Sequence, residues 1–351
     1  MRSRPLLRPS LSALLLALLA ACHAIPPAAG VEASHGAVRA ATPERAEEVA
    51  TMLDALLPRV TAMIPDSRAR HVEVWVQQTP RLYRFWTTSN EEADGFWAAG
   101  PGRIHLRETG TGLERTLAHE LVHATLGESW NHLPGTLEEG VCDWVSTRLC
   151  PLNASRLRAG RLSAACFATG GMELDVELLI PGAPDTLAIE VGYSASILLR
   201  GEQEVPFDPL RVFDVRAGMS DSDLSAARKK AYYGVAFLIV DRITERTGLE
   251  GIHTLCQRAQ AQGMDEVPPE WFLTAAGLRN ADAATWRAAF HDALGARDLR
   301  ELLAMYPSLL TDTLDRIGGQ EFPGLGTKRV HARIAVGGSD EGVELQLVLD
   351  R

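Results

Sequence analysis

Apolar residues recur with two different periods in the first third of the chain. Between residues 45 and 60 they return every three or four positions, which predicts an amphipathic helix. Between residues 72 and 76 a valine stands at every second position, which predicts a strand. Further strands are predicted at 83–86 and 103–107, and the pairs Asp94-Gly95 and Pro101-Gly102 predict turns.

The remaining segments differ in composition. Residues 24–41 are rich in Ala, Pro and Gly without a hydrophobic period, which predicts a flexible tether before a fold that begins near residue 42. After residue 110 the spacing is mostly helical, although residues 167–215 carry many Gly and Pro residues and are expected to form loops. Segments 329–335 and 343–349 predict a C-terminal hairpin or small β-appendage.

Composition and charge exclude several classes of protein. The chain is 46% hydrophobic and 23% charged, which is typical of a globular protein and excludes disordered and fibrous classes. Its 35 basic and 45 acidic residues give a formal net charge of −10. Phosphate binding depends on clustered Lys and Arg, and no cluster is visible, so a nucleic-acid partner is not expected.

The first 22 residues predict an export signal. Three arginines between residues 2 and 8 precede an apolar run at 11–21, which is shorter than the roughly 20 residues of a transmembrane helix. The run ends in Leu19-Ala20-Ala21-Cys22, which resembles the bacterial lipobox, where the cysteine is diacylated. The resemblance implies a lipid anchor at Cys22, and His23 implies the periplasmic face of the outer membrane or the cell surface. An ordinary cleaved signal peptide is the alternative.

Four cysteines remain in a compartment that permits disulfides: Cys142, Cys150, Cys166 and Cys256. A bridge between Cys142 and Cys150 is excluded if both lie on one helix, because eight residues separate them by roughly 12 Å. Two pairings stay open, and four free buried thiols are the alternative.

The most informative segment lies at residues 111–127. A capping box at 111–114 and the glycine at 127 predict the two ends of a helix. His119 and His123 lie four residues apart and therefore project from one face, where two imidazoles suit a zinc ion. Glu120 lies beside them and is the candidate general base of this H-E-x-x-H pattern. Two histidines hydrogen-bonded in a core are the alternative.

A catalytic zinc needs a third protein ligand and one open position. Ser129 stands where metzincins carry a third histidine, which excludes that class. The sequence L-P-G-T-L-E-E-G at 133–140 resembles the L-P-x-W-L-x-E-G pattern of gluzincin metallopeptidases, most closely the peptidase MA-like group, with Thr136 in place of Trp. The resemblance implies that Glu139 is the third zinc ligand and Glu138 a variable position.

Other residues of this segment have two interpretations. Thr136 and Glu139 are spaced as a capping box, so the Glu139 carboxylate is alternatively a helix cap. Asp143 follows Glu139 by one turn, and thermolysin-like gluzincins use an Asp at this spacing to orient a zinc-bound histidine, which implies the same role here. Cys142 lies close enough to compete with Glu139 for metal, but a bridge or a buried thiol is preferred.

The resemblance also covers two less specific segments. Residues 102–107 correspond to the edge strand that pairs with an extended peptide substrate in these enzymes. Residues 231–243 resemble the family's tyrosine-containing helix, which implies that Tyr232 or Tyr233 hydrogen-bonds the oxyanion. A core strand and core aromatic residues are the alternatives.

The periodicity predicts an α+β fold, and the resemblance implies that it is zincin-like, with a small N-terminal α/β part that includes an edge strand and a mainly helical C-terminal part. The predicted divisions are a signal peptide at 1–22, a tether at 23–43, a catalytic domain at 44–305 and a C-terminal β-rich appendage at 306–351. The expected function is an exported, lipid-anchored zinc metallopeptidase acting on a peptide or protein substrate and contacting the membrane only through its lipid. The alternatives are a non-catalytic envelope lipoprotein that uses the fold for binding or assembly, and a lipoprotein without metal.

Overall fold

The protein is described by a computed structural model. It covers residues 26–68, 70–77, 94–108, 112–170, 174–179, 187–192, 196–199, 207–216, 226–297, 301–302, 305, 331–336 and 343–345. The predicted leader with Cys22 and the predicted strand at 83–86 lie outside these residues.

The described residues contain seven α-helices and ten strands in an α+β arrangement. The helices are α1 (Pro43–Met63), α2 (Leu113–Thr125), α3 (Leu137–Leu149), α4 (Pro151–Ala168), α5 (Ala226–Ala261), α6 (Pro269–Ala276) and α7 (Ala283–Leu294). The strands are β1 (Ala29–Ala33), β2 (Gly36–Ala40), β3 (Val72–Gln77), β4 (Gly95–Ala98), β5 (Arg103–Arg107), β6 (Leu174–Leu179), β7 (Leu187–Gly192), β8 (Ser196–Leu199), β9 (His331–Val336) and β10 (Val343–Leu345). Among these helices none is long and apolar enough to cross a membrane.

The chain divides into two units. The first unit holds residues 1–58 and 69–124, and the second holds 59–68 and 125–351. The boundary falls inside α1 at Pro58 and at the end of α2.

A five-stranded sheet in the order β1-β2-β3-β5-β4 forms the first unit. Strand β3 pairs in parallel with β2 and β5, and its valines at 72, 74 and 76 are all buried. Helix α1 buries the apolar face predicted from its spacing and contacts β2, where Gly36 approaches the side chain of Leu53. The predicted helix at 45–60 and the strands at 72–76 and 103–107 are thus confirmed.

Helices dominate the second unit. Close approach of backbones sets their packing: a Cβ at Gly140 of α3 would lie 2.7 Å from the carbonyl oxygen of Ala236 in α5. A Cβ at Gly234 of α5 would lie 2.0 Å from the carbonyl oxygen of Arg161 in α4. Only glycine fits at these two positions, so α3, α4 and α5 pack tightly around a core that includes Phe237.

A second, antiparallel five-stranded sheet also belongs to this unit, in the order β10-β9-β6-β7-β8. The predicted C-terminal hairpin is confirmed, since β9 and β10 pair antiparallel. It is not a separate appendage, because β9 also pairs with β6 over six residues. The prediction of loops at 167–215 was wrong for β6, β7 and β8, which gain their hydrogen bonds from each other and from β9.

Two predictions for the N-terminal part were wrong. The predicted tether at 23–43 contains the antiparallel pair β1 and β2, and β2 continues into the sheet by pairing with β3. The predicted edge strand at 102–107 is β5, which lies between β3 and β4 and has both sides hydrogen-bonded. The outermost described strands of this sheet are β1 and β4, and β4 begins at Gly95, where a turn was predicted.

Candidate metal centre

Helix α2 brings the two motif histidines side by side. Leu113, Leu117 and Leu121 recur every four residues and are buried, which fixes the helix along one face. The rings of His119 and His123 face each other edge-on with centroids 5.1 Å apart. His119 is buried and His123 is partly exposed, so the pair reaches from the interior toward the surface. The predicted i, i+4 arrangement of two imidazoles is confirmed.

Glu120 lies on the same helix and is 5% exposed. Strand β4 borders its side chain, since a Cβ at Gly95 would lie 3.2 Å from both Cγ and Oε1 of Glu120. The glycine therefore leaves the space that the carboxylate occupies. Helix α2 ends at Thr125. Gly127 was predicted to end the helix, but its backbone is extended (φ −75°) and it does not have that role.

Three further candidate residues lie on helix α3. Glu139 is partly exposed, Cys142 is buried, and Asp143 is fully buried. Thr136 precedes the helix but its side chain makes no capping bond, and its hydroxyl donates to the carbonyl of Val215 instead. The alternative interpretation of Thr136 and Glu139 as a capping box is therefore wrong.

A buried ion pair holds Asp143. The Nε of Arg161 in α4 donates a hydrogen bond of 2.8 Å to its Oδ2. Burial opposes the charge of Arg161, but Asp143, Tyr233 and Glu139 outweigh that effect and raise the pKa of the guanidinium. Asp143 thus lies beside a permanent positive charge, which the sequence did not predict.

The described residues contain one group of metal-binding side chains whose ligand atoms lie close together. The ligand atoms of His119, His123 and Cys142 all lie within 4.8 Å of one another. Two imidazole nitrogens and a sulfur are a donor set that suits zinc, as does a set of two histidines and a glutamate. The role of Glu139 as third ligand stays a prediction, and Cys142, which sequence reasoning set aside, joins it as a candidate.

The two candidate tyrosines have different surroundings on α5. Tyr232 is 1% exposed and its ring packs against Phe207 at 4.8 Å, and burial raises the pKa of its phenol. Tyr233 is partly exposed, and the guanidinium carbon of Arg161 lies 4.3 Å from the centre of its ring. Tyr232 therefore has the surroundings of a core aromatic residue, which leaves Tyr233 as the better candidate for contact with a ligand.

The four cysteines of the described residues are buried. Burial raises the pKa of Cys166 and of Cys256 to about 12. The alternative of buried thiols agrees with this structure, and neither disulfide pairing that the sequence left open is present among the described residues.

Arg161 and Gly95 are the residues that sequence reasoning missed. Arg161 belongs to no motif. The sequence indicates it only in that Arg158 and Arg161 are charged residues among the small and apolar residues of α4. Gly95 stands next to Asp94 and was therefore taken as part of a turn. Comparison of the chain with protein-family models, with curated proteins and with solved structures finds no match.

Proposed function

We propose that this protein is a zinc-dependent metallopeptidase with a zincin-like fold. The observation that carries the proposal is the pair His119 and His123 on one helix, with the buried carboxylate of Glu120 beside them. A glutamate next to two histidines at this spacing is the arrangement of a general base at a zinc site. The proposed third ligand is Glu139.

Each step of the proposed reaction has its own residue, with Glu120 for proton transfer and Tyr233 for the oxyanion. When bound, zinc supplies a Lewis acid and lowers the pKa of a water molecule toward about 7. Glu120 accepts the proton of the attacking water and passes it to the leaving amine. Tyr233 donates a hydrogen bond to the developing oxyanion, an interaction worth about 3 kcal/mol where a comparable donor has been removed from other enzymes.

Metal analysis and peptide cleavage by the full-length protein test this proposal. We expect one equivalent of zinc in wild type, and cleavage of a quenched peptide mixture. Glu139→Ala should lose most of the zinc, while Glu138→Ala, which removes the neighbouring carboxylate of the same helix turn, should keep it. Glu120→Gln should keep zinc and lose cleavage. Absence of zinc from wild type refutes the proposal.

A second candidate function is favoured by the proximity of Cys142 to the two histidines. A site closed by His119, His123, Cys142 and Glu139 would be a structural zinc site, because four protein ligands leave no open position. The protein would then be a non-catalytic binding or assembly module of the cell envelope. Cys142→Ser separates the two functions, since it should leave the zinc content of the metallopeptidase unchanged and should deplete that of the structural site.

The proposed location is the cell envelope. The lipobox-like sequence that ends in Cys22 supports diacylation of that residue and attachment to the periplasmic face of the outer membrane or to the cell surface. The membrane is thus a partner only through the lipid, and a peptide or protein is the substrate. Cys22→Ser should move the protein from the membrane fraction to the soluble fraction, as detected by immunoblotting.

A further inference from the structure

Arg161 of α4 contacts side chains from both neighbouring helices. Its Nε donates to Oδ2 of Asp143 in α3 at 2.8 Å, and its guanidinium lies over the ring of Tyr233 in α5 at 4.3 Å. Asp143 is fully buried and the Arg161 side chain is 20% exposed. One cation thus holds a carboxylate and a tyrosine that the sequence assigns to the candidate site.

The packing of α4 against α5 restricts the position of Arg161. Gly234, which follows Tyr233, presses against the carbonyl oxygen of Arg161, and a Cβ there would lie only 2.0 Å from that oxygen. The backbone of α4 therefore has a fixed position beside α5 at this residue. A side chain anchored at such a point sets its partners more firmly than one on a loop.

The charge of Arg161 also reaches Glu139. The carboxylate of Glu139 is one of the groups that favour the charged guanidinium, so the two side chains interact electrostatically. Asp143 and Glu139 lie one turn apart on α3, and both carboxylates favour the charge of Arg161. Without the cation, the buried Asp143 carboxylate would lose its partner, which is costly in the interior of a protein.

We propose that Arg161 is a positioning residue of the zinc site, which fixes the Asp143 carboxylate and the Tyr233 ring beside Glu139. The proposal rests on the function proposed above. Groups that orient the ligands of a metal typically change its affinity or the activity by about 10- to 100-fold when they are removed. Arg161 acts through its neighbours and needs no contact with the metal or the substrate.

The chain offers a matched control on the same helix. Arg158 lies one turn before Arg161 and pairs with Asp241, another buried aspartate, at 2.9 Å. Asp241 also accepts a bond from Trp144, and its pair involves none of the candidate site residues. Arg158→Gln removes one partner of a buried aspartate, which keeps its contacts with Trp144 and Arg148, and only Arg161→Gln should affect zinc.

Zinc affinity, measured by competition with a chelating dye, tests the inference on the full-length protein. We expect Arg161→Gln to weaken zinc binding by about 10- to 100-fold and Arg158→Gln to leave it close to wild type. Arg161→Lys keeps the charge but loses the planar group, and it should regain part of the affinity. The visible spectrum of the cobalt-substituted protein should change in Arg161→Gln and not in Arg158→Gln.

Folding of each variant is checked by circular dichroism and urea unfolding. If Arg161→Gln does not fold, the double variant Arg161→Gln/Asp143→Asn also removes the buried charge of Asp143 and serves in its place. Equal losses of zinc affinity in the two arginine variants, or wild-type affinity and cobalt spectrum in Arg161→Gln, overturn the inference. Failure of wild type to bind zinc overturns the proposed function and this inference with it, and is seen before any variant is compared.

Discussion

Gly95 is the position where a single methyl group tests the arrangement around Glu120. In β4 this residue packs against α2, and an alanine Cβ would lie 2.7 Å from Cγ2 of Thr116. The same atom would lie 3.2 Å from Cγ and from Oε1 of Glu120. Gly95→Ala therefore pushes on the candidate base from the side of the sheet, without changing its chemistry.

The size of the effect follows from these distances. Carbon atoms in contact prefer about 3.5–4.0 Å, so the methyl overlaps Thr116 by roughly an ångström. Overpacking of this kind typically costs about 1–3 kcal/mol of stability. Glu120 has to give by only a few tenths of an ångström, and since misplacement of a catalytic group by about 1 Å can cost roughly 100-fold, we expect kcat to fall by up to about 10-fold.

Urea unfolding, metal analysis and peptide cleavage measure the three quantities separately. Gly100→Ala is the control, because a Cβ at that turn residue meets no atom within 4 Å. The double variant Gly95→Ala/Thr116→Ser removes the overlap with Cγ2 and keeps the hydroxyl. It should recover stability while kcat stays low, since the contact with Glu120 persists.

The reasoning is refuted if Gly95→Ala matches wild type in both unfolding free energy and kcat while Glu120→Gln is inactive. That result would mean that β4 does not border the carboxylate as described. A loss of zinc in Gly95→Ala would point to a displacement of α2 as a whole, and it would remove the claim that the methyl acts on Glu120 alone.

Three other measurements follow from the described residues. Burial lowers the pKa of His105 to about 4 in the folded protein, from about 6.5 in the unfolded chain. Wild type should therefore lose about 3 kcal/mol of unfolding free energy between pH 6.5 and 4, and His105→Phe should not show this loss. Equal slopes of unfolding free energy against pH in the two proteins would contradict this. Cys166 and Cys256, with pKa values of about 12, should resist iodoacetamide at pH 8 until urea unfolds the protein, as followed by mass spectrometry, and rapid labelling of the native protein would contradict their burial. When the free zinc concentration is about 100 times the Kd, removal of zinc should lower the unfolding free energy by roughly 2.7 kcal/mol. An unchanged melting temperature after zinc removal would count against a bound metal.

The sequence predicted correctly the helices and strands that have a clear hydrophobic period of their own. The four-residue spacing of leucines and histidines defined α2 and the pairing of His119 with His123. Alternating valines predicted β3, and all three are buried, although Trp75 and Gln77 on the other face are buried as well. The role proposed for Glu139 came from the resemblance of residues 133–140 to the gluzincin pattern, and this residue lies on α3.

Long-range pairing decided the elements that the sequence did not predict. Residues 29–40 carry small side chains with no clear period, and β2 is a strand because β3 pairs with it. The position of β5 between β3 and β4 follows from strand order, which chain order does not reveal. The partner of Asp143 is a similar case, since Arg161 lies on another helix and belongs to no motif.

The third ligand decides which chemistry the site supports. Glu139 and Cys142 lie within one turn of α3, and each is a candidate for the third coordination position. Catalysis requires that one position stay open, and therefore that only one of Glu139 and Cys142 binds. In the proposed metallopeptidase Glu139 is that ligand, so zinc kept by Cys142→Ser and lost by Glu139→Ala would agree with the proposal, and the reverse would contradict it.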